Sequence, residues 1–287
     1  MDRIAAIGII ARLAQYAAAA SGGTALFLIY GWQPQRQGRW RVSLAGLFFL
    51  GALAAVAWLM AQAAAFGQPS DAFVPAQVWS VAAETRFGQA ALARALLFTL
   101  AGLAAGAGAW RWPSLLAALA CIGFAFGGHA AADEGAAQLI HMTADAVHAL
   151  AAAAWLGALP PLLALLMRRQ TADARTGLDR FSAIGPAVVA VLVMSGAINT
   201  WLILGPTPLP ALLASVYGWV LIAKLGLFAL MLGLAAVNRW RLAPRLTQGA
   251  SAQAHIDLRR SLLLENLLAL TVLALVAGLG TLAPPDA

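Results

Sequence analysis

This 287-residue sequence predicts an all-α integral membrane protein of eight transmembrane helices, arranged as two four-helix repeats. Three observations predict it. Hydrophobic residues make up 62% of the chain and charged ones only 10%, where a soluble domain keeps about a quarter charged. Apolar runs of about 20 residues, the length that crosses a bilayer, recur from one end to the other. The basic residues gather in alternate connections between those runs, the charge asymmetry of membrane topology.

The spans follow in order. The first covers about 5–31; its small residues suit a signal peptide, but Arg12 interrupts the apolar core and the pattern runs on to Tyr30, so an uncleaved helix is expected. The second, about 42–66, follows Arg36, Arg39 and Arg41. Residues 68–86, QPSDAFVPAQVWSVAAETR, form the one sizeable outer loop, with a short interfacial helix around Val78-Trp79 and a surface on which a partner could dock. The third span, about 88–110, joins the glycine-rich fourth, about 113–131, tightly through Arg111-Trp112-Pro113. The fifth, about 139–167, opens HMTADAVHAL. Arg168, Arg169, Arg175 and Arg180 precede the sixth, about 182–205. The seventh covers about 217–238, and Arg239, Arg241, Arg245, Arg259 and Arg260 separate it from the eighth, about 260–282. The other connections hold little beyond Arg86, so the basic loops are expected in the cytoplasm and both termini on the outer face.

An internal repeat organises these spans. RFGQAALARALLFTLAGLAAGAGAWRW aligns with VYGWVLIAKLGLFALMLGLAAVNRWRL without a gap. Phe87-Gly88 falls on Tyr217-Gly218, Arg94 on Lys224, Phe98 on Phe228 and Trp110-Arg111 on Trp240-Arg241. RVSLAG of the second span matches RFSAIG of the sixth, and Gly23 can be set against Gly157. Residues 1–135 and 136–287 then form two halves of equal orientation, which implies a pseudo-two-fold axis along the membrane normal and a binding site between the halves.

Several function classes are excluded. The +7 net charge is dealt out between apolar segments, which is topology rather than a nucleic-acid surface; the partner of the bulk surface is membrane lipid. Cys121 is the single cysteine, a small buried hydrophobe by its setting, so neither an intrachain disulfide nor a Cys-Pro-Cys metal site exists. Lys224 is the only lysine, and no phosphate-binding loop accompanies it, so a pumping ATPase is ruled out. No soluble nucleophile constellation is present, and a non-enzymatic protein is expected.

Ionisable groups within a span are costly and point to function. Lys224 lies seven residues past Tyr217, roughly 10 Å below the outer surface, and Arg94 lies at the matching depth. His141, Asp145 and His148 are spaced i, i+4, i+7 and share one helix face. With His129, Met60 and Asn199 they make one narrow polar layer; Met60 and Met142 are candidate additional ligands, though Met142 points about 100° from His141, towards a different surface. Imidazole with carboxylate or thioether is a transition-metal donor set that copper accepts. Histidines in a four-helix unit also suit haem b, and with it a membrane oxidoreductase or electron carrier. A structural reading has His148 hydrogen-bonded in the core and Asp145–Lys224 as an ion pair. Near the cytoplasmic face, Glu265 beside Asn238, Arg239 and Arg241 is either a structural ring or a cation exit site.

HMTADAVHALAAAAWLGALPPLL, RFSAIGPAVVAVLVMSGAINTWL, YGWVLIAKLGLFALMLGLAAVNRWRLAPRL and LRRSLLLENLLALTVLALVAGLGTLAPP together resemble the copper resistance protein D (CopD) family of bacterial inner-membrane proteins. The likeness is strongest from His141 onward. It implies movement of copper from the periplasm towards the cytoplasm, alongside a small periplasmic copper-binding partner of the CopC type. It makes His129, His141 and His148 the expected ligands, with Asp145 orienting a histidine or sharing the ion and Lys224 tuning Asp145. The oxidation state of the copper is left open, and a docking or sensing protein that moves no metal is the further alternative.

Overall fold

The structure, a computed structural model, describes residues 3–30, 38–66, 75–127, 135–168, 171–245 and 252–285. Every regular element among them is helical: α1 Arg3–Tyr30, α2 Gly38–Phe66, α3 Pro75–Glu84, α4 Arg86–Ala107, α5 Arg111–Ile122, α6 Gly135–Met167, α7 Thr171–Leu204, α8 Leu209–Ala214, α9 Val216–Val237, α10 Ala243–Arg245 and α11 Ala252–Leu279. Among the described residues seven helices are long and apolar enough to cross a membrane, namely α1, α2, α4, α6, α7, α9 (continued to Arg245) and α11. The chain is a multi-pass membrane protein.

The expected fourth span is the one that falls short. α5 has 12 residues and passes into a 3-10 turn, Gly123–Phe126. Together they extend about 26 Å, less than the ~30 Å hydrocarbon core. Glycine at 123 and 127 disfavours regular helix there, and the run expected to reach 131 leaves the described residues after Gly127. α7 errs the other way, starting at Thr171 instead of about 182, with Asp173 in its first turn where the helix dipole favours an acid.

Short helices precede both α4 and α9. α3 is the interfacial helix expected around Trp79, which is 71% exposed; α8 was not foreseen because its Pro-rich sequence reads as loop. The two long helices then start alike. Thr85 accepts the Gly88 N–H at 2.9 Å and donates to Val81 O; Ser215 accepts the Gly218 N–H at 3.0 Å and donates to Leu212 O. A Cβ on Gly88 would lie 2.1 Å from the Val81 carbonyl, and one on Gly218 2.0 Å from that of Leu212, so the short helix folds back onto a side-chain-free turn in both places.

α1, α2, α4 and α5 pack as a closed ring, each helix against two neighbours. α6, α7, α9 and α11 form an open row, α7 on α6, α6 on α11, α11 on α9, with no extensive packing between α7 and α9. The two groups meet where α1 crosses α6. A Cβ on Gly23 would stand 1.9 Å from Ala153 O, and one on Gly157 2.2 Å from Ala20 O, so the backbones touch at that crossing. Pro161 lies inside α6 and has no N–H for the Gly157 carbonyl four residues back. Thr24 Oγ1 of α1 donates to that carbonyl at 2.7 Å and replaces the missing bond.

Basic side chains close helix ends on the arginine-rich face. Arg41 Nη2 donates to Ala107 O at 2.8 Å where Gly108, at φ 76°, ends α4. Arg180 donates to Tyr30 O at the end of α1, whereas Arg239 Nη1 donates at 2.6 Å to Ser182 O inside α7, the carbonyl that Pro186, four residues on, has no N–H to satisfy. Cations at helix carboxyl ends offset both the orphan carbonyls and the dipole.

Candidate functional site

Between the closed ring and the open row lies a cavity of about 960 Å³. The α6 face that opens HMTADAVHAL forms one wall, because the i, i+4, i+7 spacing turns His141, Asp145 and His148 the same way. Asn199 of α7 and Lys224 of α9 enter from the second group, and Arg94 of α4 from the first. Six residues expected in one polar layer therefore do share one cavity.

His148 is the best-oriented of them. Its Nδ1 lies 3.2 Å from Leu192 O and 3.1 Å from Ser195 Oγ, while Ser195 Oγ itself donates to Val191 O at 2.6 Å. A carbonyl can only accept, so the neutral ring carries its hydrogen on Nδ1 and keeps a lone pair on Nε2. That is the state in which a histidine binds metal, with its other nitrogen held by a carbonyl. Gly196 leaves space for the ring: a Cβ there would stand 3.2 Å from His148 Cε1. His141, one face-repeat earlier, is buried at 3% exposure.

Asn199 Nδ2 reaches Asp145 Oδ1 at 3.5 Å, and Asn199 Oδ1 is buried without a partner. Lys224 lies within electrostatic reach of both Asp145 and His148. Among the described residues no three His, Cys, Asp or Glu groups stand close enough to hold one ion. His129 falls outside the described residues. Met60 turns outward, 39% exposed, and neither it nor Met142 lines the cavity. Met60 follows Trp58 on α2, and it is the Trp58 side of that helix that faces inward. Cys121 is buried in the core, as its apolar setting implied, and touches the cavity wall.

The sequence reading missed the wall contributed by α1 and α2: Arg12, Gln15, Tyr16 and Trp58. Its signal was present. Arg12 is an arginine well inside a span, with Gln15 three residues on, and polar groups in a span deserve the same weight whether or not the helix resembles a leader.

A second, smaller cavity of about 190 Å³ lies towards the arginine-rich face. Glu265, 3% exposed, accepts from Asn238 Nδ2 at 2.8 Å, and Asn238 Oδ1 is buried without a partner. No hydrogen bond or ion pair joins Glu265 to an arginine among the described residues, so the ring with Arg239 or Arg241 does not form; Arg239 instead binds Ser182 O. Asn238 opens a π-helical turn, Asn238–Leu242, of the kind that recurs at functional sites. Trp155 lines both cavities and meets Phe228 edge-on at 5.6 Å.

Comparison with known proteins converges on one family. Residues 175–279 match the model for copper resistance protein D, and residues 1–139 that for the copper resistance protein D-like N-terminal domain. The chain is 38% identical to copper resistance protein D of Pseudomonas syringae pv. tomato over 60% of its own length and 58% of that protein's. It is 32% identical to inner membrane protein YebZ of Escherichia coli over 81% of both chains. It is 28% identical to copper transport protein CutJ of Bacillus subtilis over 63% of its own length and 35% of that protein's. No solved structure matches it significantly. The chain belongs to the copper resistance protein D family.

Proposed function

We propose that the chain moves copper across a bacterial inner membrane from the periplasm towards the cytoplasm, with the large cavity as its entry site. The observation that carries this reading is His148: its Nδ1 is held by Leu192 O and Ser195 Oγ, and its Nε2 is left as a donor in a cavity shared with His141 and Asp145. Copper is the cargo, and imidazole and carboxylate donors suit it in either oxidation state, His148 being the donor that the cavity holds in place. His129 or a group brought by the incoming copper complex completes the set. Lys224, within electrostatic reach of Asp145, tunes that carboxylate. The family and the name of the Bacillus relative support copper over other metals.

Both termini face the periplasm in this reading, so α3 with its exposed Trp79 is the surface for a small periplasmic copper carrier of the CopC type. The two helix groups are halves related by a pseudo-two-fold along the membrane normal; the Gly23/Gly157 crossing and the matched Thr85 and Ser215 caps support that symmetry. Glu265 and Asn238 are the exit station, reached past Trp155. The protein carries out no covalent chemistry.

Copper uptake into sealed vesicles carrying the purified protein tests this. Uptake above protein-free vesicles, strongly reduced by His148→Ala, is the expected result. Copper binding without uptake would favour docking or sensing. A Soret band with stoichiometric iron would make the histidines haem ligands and remove the transport reading.

A further inference from the structure

The part of the large cavity built from α1, α2 and α4 carries charge that no carboxylate among the described residues is seen to balance. Arg94 is 2% exposed, with Nε donating to Gln15 Oε1 at 3.1 Å and Nη1 to Gly123 O at 2.6 Å. Its Nη2 has no hydrogen-bond partner among the described residues, yet it is not among the polar atoms sealed in by protein. Arg12 makes no hydrogen bond or ion pair among the described residues; its guanidinium lies over the Trp58 ring, 5.6 Å from the centroid. Arg94 lies over the same ring at 5.2 Å. The groups acting electrostatically on Arg94 are Tyr16 and Arg12, and no carboxylate is among them. Counting the whole cavity, Arg12, Arg94 and Lys224 face one carboxylate, Asp145.

Two guanidiniums brought together without an acid among the described residues, in a chain 62% hydrophobic, are a standing electrostatic expense unless something negative joins them. Gln15 shows that the arrangement is built. It is 1% exposed, its Nε2 donates to Ala11 O and Ala54 O at 3.4 Å each, and its Oε1 holds Arg94 in place. Gly280 at the end of α11 makes room for Arg12, since a Cβ there would lie 2.1 Å from Nη1. Trp58 spaces the two cations and its face stabilises both. A planar guanidinium with free N–H groups matches the paired oxygens of a carboxylate or phosphate. The cavity, at about 960 Å³, has room for an organic anion as well as a metal ion.

We propose that the Arg12–Arg94 end of the cavity, floored by Trp58 and Gln15, is a binding site for an anion bearing a carboxylate or phosphate group. The site is built on α1, α2 and α4 rather than on α6 and does not depend on the copper reading. The anion comes either from solution, as a small multivalent acid or a metal chelate, or from the membrane, as the headgroup of an acidic lipid. Either source presents the same oxygens to the same forks.

The test uses the full chain, purified in detergent, delipidated and stripped of metal with a chelator. Citrate, inorganic phosphate and phosphatidylglycerol in mixed micelles are titrated separately by calorimetry, with phosphatidylcholine as the neutral control. Saturable binding of citrate or phosphate identifies a soluble anion, and binding of phosphatidylglycerol without phosphatidylcholine identifies a lipid headgroup; both support the site. Arg12→Gln is the deciding variant, because Arg12 holds no structural hydrogen bond among the described residues and its loss leaves the fold intact; it weakens binding at least tenfold. Arg94→Lys keeps the charge, loses the fork and weakens binding as well. No saturable binding of any of the three probes would overturn the proposal, as would wild-type affinity in Arg12→Gln. An equal loss in His148→Ala would put the anion at the imidazole wall and also overturn it.

Discussion

Arg94 and Lys224 occupy the same place in two aligned helices, yet their surroundings differ. Arg94 is sunk in the closed ring, where α2 and α4 pack along their length and Gln15 and Gly123 take its hydrogens. Lys224 stands in the open row, where α7 and α9 are parted, half-buried and facing Asp145 and His148. A cation within a membrane is therefore no fixed sign of one role. In the ring it is tied into the scaffold by neutral acceptors; in the row it is left beside the groups that suit a cargo.

The sharpest way to break that comparison is to delete each cation. Arg94→Met removes two hydrogen bonds from a charged donor and strands Gln15 and the Gly123 carbonyl, with an expected loss of about 3 kcal/mol or more and little folded protein. Lys224→Met is expected to cost less than about 1 kcal/mol, because Lys224 has no hydrogen bond among the described residues, while it lowers copper retention. Thermal unfolding in detergent beside copper content separates the two; equal destabilisation would erase the distinction.

The joint between ring and row comes next. Gly157→Ala places a methyl 2.2 Å from a backbone carbonyl of α1, so the helices must separate, at about 1–3 kcal/mol. Thr24→Val leaves the Gly157 carbonyl with no donor, since Pro161 cannot supply one, and about 1–2 kcal/mol is expected to be lost. The double variant with Pro161→Ala should recover part of the Thr24→Val loss, because an N–H returns to that carbonyl. Additive losses would count against this account of the crossing.

The smallest expected effect is the most local. Ser195→Ala removes one of the two groups that hold His148 Nδ1 and leaves Leu192 O, so copper affinity falls about tenfold without a change in fold. Unchanged affinity would mean that Ser195 serves only its own helix.

Much of the fold was legible because lipid makes composition speak plainly. Runs of about 20 apolar residues can do little but span, and α1, α2, α4, α6 and α9 appear near their expected bounds, while α11 begins at Ala252 instead of about 260. The start of α7 was not legible, since TADARTGLDR is polar enough to read as loop and helix periodicity in a basic connection carries no apolar stripe. The short fourth helix hides in glycines, whose effect on helix length depends on what packs against them. In the site, the face shared by His141, Asp145 and His148 followed from spacing alone. Met60 did not, because an alignment of sequence segments bears on depth but not on which way α2 is turned, and only packing against α1 and α4 decides that. The Arg12 wall was overlooked for a related reason. One arginine in an N-terminal apolar run reads as an interruption until a second, from a helix some eighty residues away, is seen across the same tryptophan.

The most direct test of the central claim, that the imidazole wall of the large cavity receives copper, is metal content with X-ray absorption on copper-loaded protein. Wild type and the His141→Ala/His148→Ala double variant are compared at equal folded concentration. The account predicts about one copper per chain with imidazole scattering in the wild type, and loss of both in the variant. Equal copper in the two proteins, or copper without imidazole in its shell, would contradict it.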